Sequence, residues 1–207
     1  MIGKIRKGRS FGGCIRYVTQ KDDAEIIASE GVLLGTAEET ARSFRWQCLL
    51  SPDVAKPVGH IALSFKPEDA PRLTDAFMAR LAEEYLELMG IRNTQFIVVR
   101  HHGTDNPHCH IVFNRVDFDG KVISDSNDFR RNERVTKMLK KKYSLTYSEG
   151  KQSVKTEKLH ASERVKYEIY RAVKEALRSA DTWKEFQNRL LKMGVEMEFK
   201  YKGNTNE

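Results

Sequence analysis

Residues 96–114, FIVVRHHGTDNPHCHIVFN, constrain the fold more tightly than any other part of the chain. Two apolar runs, FIVVR and IVFN, flank a GTDNP stretch whose Gly, Asp, Asn and Pro are turn formers, so the segment reads as an antiparallel hairpin. Strand side chains alternate between faces, so His108 and His110 point one way while Cys109 points the other, with Ile111 and Phe113. Four of the six histidines therefore crowd the mouth of one hairpin.

The elements around it predict how this hairpin is covered. GKIRKG begins as a short strand and passes through Ser10 and Gly12-Gly13 into a helix carrying Tyr17. Glu38 to Leu50 reads as a helix closed by the turn signal SPD. Gly59 to Phe65 alternates as a strand, with His60, Ala62 and Ser64 on one face. Leu73 to Met89 is an amphipathic helix, introduced by the cap-like Thr74 and ended by Gly90. After the hairpin, DFDGKVIS predicts a further turn and strand. The 130–142 stretch, RRNERVTKMLKKK, reads as a helix with seven basic side chains against one acid. This order predicts an α+β fold, a central antiparallel sheet with helices packed on it. A polar stretch, 151–163, then leads to helices at 162–180 and 182–193 and a final strand. The expected organisation is a domain at 1–145 and a helical extension at 146–207, cut from a longer protein.

Several classes are excluded or disfavoured. No apolar run approaches the roughly 20 residues of a spanning helix, and no apolar core of a signal peptide follows Met1. Cys14, Cys48 and Cys109 are odd in number and widely spaced, which argues against a disulfide framework and for a reducing compartment, the cytoplasm. The formal charge of +7 favours an anionic partner such as nucleic acid. Its candidate phosphate contacts are Arg6 and Lys7 before the first helix, Arg16 within it, and Arg130, Arg131, Arg134 and Lys137 in the basic helix.

The histidines suit a metal ion. Three neutral imidazoles from His101, His108 and His110 would leave coordination positions open, as a catalytic site requires. The third ligand is not fixed by spacing, because a five-residue loop would set His102 opposite His108, whereas a bulge would bring round His101. Imidazole ligands bind zinc, copper, nickel and iron more tightly than magnesium.

HHGTDNPHCHIVFNRV resembles the three-histidine motif of the plasmid mobilisation relaxases, a branch of the HUH endonucleases. KGRSFGGCIRYVTQKDDA is similar to their N-terminal tyrosine motif, HIALSFKPED to a second strand motif, and DGKVIS with the basic helix to the segment after the histidines. The resemblance covers about residues 1–145 and departs at Gly103, where the family often has an acid. It implies that His101, not His102, joins His108 and His110 as ligand, and that Tyr17 is the nucleophile. It also implies a divalent cofactor, manganese or magnesium in function, with nickel or zinc acquired on purification. The implied substrate is single-stranded DNA at a transfer-origin nick site, with accessory mobilisation and coupling proteins as partners and no membrane. His60 is a candidate catalytic residue, assisting Tyr17 or orienting His101 through its other ring nitrogen. The alternatives are a replication-initiator or transposase-type HUH nuclease, and a metal-stabilised DNA-binding module without catalysis.

Overall fold

The computed structural model describes residues 1–147 and 161–198. The chain divides into two compact units, Met1–Ser148 and Glu149–Glu207. The first is built on five strands, β1 (Ile2–Gly8), β2 (Ala24–Glu30), β3 (Val58–Ser64), β4 (Phe96–His101) and β5 (His108–Asn114). They form one sheet in the order β1-β3-β5-β4-β2, with every neighbouring pair antiparallel.

Four helices cover both faces of this sheet: α1 (Phe11–Thr19), α2 (Ala37–Cys48), α3 (Asp75–Leu88) and α4 (Asp128–Lys142). Strand alternation sorts the core into two layers. Phe11, Ile15, Val18 and Phe44, from α1 and α2, bury Ile97, Val99 and Val112 on one face. Met78, Leu81, Tyr85, Val135 and Leu139, from α3 and α4, bury Ile61, Leu63, Val98, Ile111 and Phe113 on the other. The helix starts follow local chemistry. Ser10 accepts from Gly13 N, Thr36 and Glu39 form a reciprocal capping box, and Thr74 accepts from Phe77 N. Gly90 ends α3 at φ +72°, a conformation costly for any residue with a Cβ.

Two elements of this unit differ from the sequence expectation. Residues 24–30, AEIIASE, form an edge strand that lacks clean alternation because its register shifts between Ile26 and Ala28. The strand expected within 117–124 is instead a turn closed by a single bridge, Val116 to Val122. Asp117 Oδ1 accepts from the backbone N–H groups of Asp119 and Lys121, at 3.0 and 2.7 Å, and this local network takes the place of a ladder.

The second unit contains α5 (Ala161–Ser179) and α6 (Trp183–Lys192), with Ala176, Phe186 and Leu190 buried between them. Residues 195–198 form no strand, and the rest of the expected terminal strand, 199–207, lies outside the described residues, as does the polar stretch at 151–160. No helix among the described residues is long and apolar enough to cross a membrane.

Candidate active site

The register of β4 and β5 decides which histidines meet. His101 pairs with His108 and Val99 with His110, so the loop between the strands spans residues 102–107. Directly opposed residues share a face, and His110 lies two positions beyond His108, so His101, His108 and His110 converge on the α1 side of the sheet. One ring nitrogen from each falls within 4.8 Å of the others. His102 lies outside this group. It is exposed, with Nε2 3.1 Å from Glu25 Oε2.

The outward nitrogens fix the tautomers. His101 Nε2 lies 2.8 Å from the Val18 carbonyl and His108 Nδ1 lies 3.1 Å from the Asn106 carbonyl. A carbonyl only accepts, so both these nitrogens carry the proton. The inward pair, His101 Nδ1 and His108 Nε2, then present bare lone pairs to each other at 3.2 Å. That arrangement is unfavourable unless a cation lies against both. His110 Nδ1 is 3.0 Å from His60 Nε2. For His110 Nε2 to act as a ligand, Nδ1 must donate to His60, and His60 must hold its own proton on Nδ1. Each of the three imidazoles thus has its outer nitrogen held by an acceptor, the usual second contact of a metal-bound histidine. The donor set fits a divalent ion. His60, which the sequence reading set beside His101, lies against His110 instead, because β3 and β5 pair His60 with Val112 and Ala62 with His110.

Burial favours the neutral form of His60, His108 and His110. Burial, then the neighbouring His60, His101 and His108, lower the His110 pKa to about 3. Burial also lowers His108, and burial with the Arg6 charge lowers His60.

Tyr17 stands over this cluster. The helix α1 carries it at the sheet face, with its ring edge-on to His60 and His110 at 6.0 and 5.9 Å between centroids. The side chain is 63% exposed. It borders an open groove of about 490 Å³ lined by Lys4, Arg6, Arg9, Tyr17, His60 and His110. Arg6 thus lines the same groove as the candidate nucleophile, and Arg16, the residue before Tyr17 on α1, is exposed.

The remaining basic residues singled out in the sequence lie elsewhere. Lys7 turns to the opposite side of β1, where its ammonium meets Asp125 at 3.0 Å and Asp128 at 2.6 Å. Burial opposes its charge, but the carboxylates of Asp128 and Asp125 outweigh it and raise its pKa. Val135 and Leu139 seat α4 on the α3 side of the sheet, so Arg130, Arg134 and Lys137 are exposed on the far layer from the histidines. Lys137 is paired with Glu133 at 2.7 Å, and Arg131 donates to the Ser124 carbonyl at 2.8 Å.

Apart from His60, sequence reasoning did not single out the groups that orient the site. Val18 and Asn106 act through backbone carbonyls, which no sequence signal marks. Asp23 latches the histidine loop: its carboxylate accepts from Gly103 N at 2.6 Å and its carbonyl from His102 N at 3.1 Å. The Gly103 hydrogen bond is the main cause that holds the Asp23 carboxyl below its ordinary value. A Cβ at residue 103 would come within 2.6 Å of Asp23 Oδ2, which accounts for glycine there.

The family model for the relaxase nuclease domain, MobA/VirD2-like, matches residues 17–145. Among solved structures the chain is similar to the conjugative relaxase TrwC in complex with oriT DNA in a metal-bound form. The two share 12% identity over 96% of this chain and 93% of that one, with a TM-score of 0.40. No curated protein sequence matches the chain.

Proposed function

Because the chain belongs to the MobA/VirD2-like relaxase nuclease family, we propose that it nicks one strand of a transfer origin through attack by Tyr17, for mobilisation of a plasmid or integrated element. The observation that carries this reading is the exposed Tyr17 ring poised 5.9 Å from His110 above three convergent imidazoles. In the proposed step Tyr17 Oη bonds to phosphorus as the bond to the 3′ oxygen breaks. The phenol proton passes to solvent in the open groove, and the departing oxygen takes a proton from water. The products are a 5′-phosphotyrosine and a free 3′ hydroxyl. The phosphodiester is exchanged rather than hydrolysed, so the reverse attack rejoins the strand.

A divalent ion held by His101, His108 and His110 would neutralise charge on a non-bridging phosphate oxygen and on the departing 3′ oxygen. Manganese or magnesium is the proposed working ion, although three imidazoles also suit zinc or nickel. His60 positions His110, and in the ligand-competent tautomer its Nδ1–H is a hydrogen-bond donor rather than a base. Arg6, in the groove, and Arg16, exposed on α1, supply positive charge near Tyr17. Arg130, Arg134 and Lys137 hold phosphates away from the scissile bond, because they lie across the sheet. The substrate enters single-stranded, since a nucleophile on a sheet face does not easily reach the scissile bond of an intact duplex. We place this chemistry in the 1–145 domain, in the cytoplasm, with accessory mobilisation and coupling proteins supplying the rest of the transfer apparatus.

The test is a covalent-adduct assay with end-labelled single-stranded DNA from the origin of the parent element, in manganese. Wild type is expected to carry the fragment downstream of the nick through a denaturing gel, and Tyr17→Phe to form none. Binding without adduct or cleavage by wild type would overturn the proposal and leave a DNA-binding module.

A further inference from the structure

The two sides of β1 carry cations in different states. Lys7 faces α4 and is doubly ion-paired, whereas Lys4 and Arg6 face the groove, and among the described residues neither side chain has an ion-pair or hydrogen-bond partner. The register places them closely. Arg6 pairs with His60 and Lys4 with Ala62, and Ala62 pairs in turn with His110. Lys4, Ala62 and His110 therefore form one row across the sheet, and the central member is the smallest side chain that a strand can place there. The result is a notch between an unpaired ammonium and a histidine of the cluster. Both Lys4 and Ala62 line the groove with Tyr17.

Lys4 and Arg6 stand two residues apart, about 6.7 Å along a strand, a separation similar to that between consecutive phosphates of an extended single strand. We propose that β1 is a phosphate rail: Lys4 and Arg6 hold two successive phosphates on one side of the scissile bond, and the Ala62 notch admits the nucleotide between Lys4 and His110. The inference rests on the relaxase reading and adds positioning residues to it. Desolvated single strands are held by backbone charge with little sequence preference, so the rail sets register and leaves base choice to other contacts.

The test uses a five-nucleotide oligothymidylate as probe, with affinity measured across a salt series. Lys4→Met and Arg6→Met are each expected to lower the slope of log affinity against log salt by about 0.7, the value for one single-strand phosphate contact. Ala62→Leu, which keeps every charge and fills the notch, is expected to weaken binding about tenfold or more. Arg92→Met, beyond the end of α3 and ion-paired with Glu87, is expected to leave binding of this short probe unchanged. The rail is overturned if Lys4→Met and Arg6→Met keep the wild-type slope, or if Ala62→Leu binds as wild type does, because the probe then lies elsewhere. Adduct formation by wild type on origin DNA is scored separately. Adduct with unchanged slopes removes the rail and keeps the relaxase reading. Altered slopes and a filled notch that blocks binding, without adduct on any origin DNA, keep the rail and remove the reading.

Discussion

The proton between His60 and His110 sits at the centre of the site. His110 can offer Nε2 to a metal only while Nδ1 donates to His60 across 3.0 Å. Replacing His60 by Ala removes that acceptor, and metal affinity is expected to fall about 10–100-fold. His60→Gln, which retains an acceptor oxygen, should recover part of it. Titration calorimetry with manganese on the purified protein measures both, and His102→Ala is the control expected to bind as wild type does. The sequence placed His108 and His110 on one face, because a period of two suffices for that. It left His101 and His102 open, because which of them faces His108 depends on the length and path of the loop. It also put His60 beside the wrong histidine, since strand pairing is not a local property. Gly59 gave no warning at all. It lies opposite Phe113, and a Cβ there would meet the ring at 2.1 Å. Gly59→Ala is therefore expected to lower stability by about 1–3 kcal/mol through overpacking, which urea unfolding will register.

At the level of elements, the legible parts were those whose periodicity matches their burial. The α3 helix, the strand β3 and the β4–β5 hairpin each bury a face that shows in the spacing of apolar residues. The β2 strand was missed because an edge strand with a shifted register buries no regular face, and the 117–124 turn was misread because its apolar residues meet only one cross-strand partner. The attachment of α4 to β1 was invisible for another reason, since it depends on Lys7 reaching two acids far along the chain. Its pH dependence follows from the two shifts. The folded state lowers the Asp125 pKa, through the Lys7 hydrogen bond first, so that stabilisation is present above the ordinary aspartate value and is lost as pH falls through the lowered one. The folded state raises the Lys7 pKa, so its share is present below the ordinary lysine value and lost as pH rises through the raised one. The window thus runs from about pH 4 to about pH 10. Thermal unfolding should find Lys7→Met less stable than wild type at neutral pH, with the gap narrowing as pH falls through the lowered Asp125 value and its carboxylate becomes protonated.

In the first unit, the sheet separates two basic surfaces that the sequence does not assign to different faces. The groove cations belong to the layer that holds Tyr17 and the histidines, whereas Arg130, Arg134 and Lys137 lie on the α4 layer behind it. Composition counts both sets alike, and no property of the 130–142 run tells which face of the sheet its apolar stripe will choose. The separation has a kinetic consequence. A contact to the scissile phosphate affects the chemical step, but a contact on the far layer affects only how firmly longer DNA is held. The triple substitution Arg130→Glu, Arg134→Glu, Lys137→Glu is therefore expected to weaken binding of long origin DNA and to lower its salt slope by about 2–3 units, near 0.7–0.9 per phosphate contact. The rate of adduct formation at saturation with a short single strand spanning the nick should stay within about twofold of wild type. A large fall in that saturated rate would mean that the basic helix reaches the scissile phosphate around the β1 edge, and that the sheet does not divide holding from cutting.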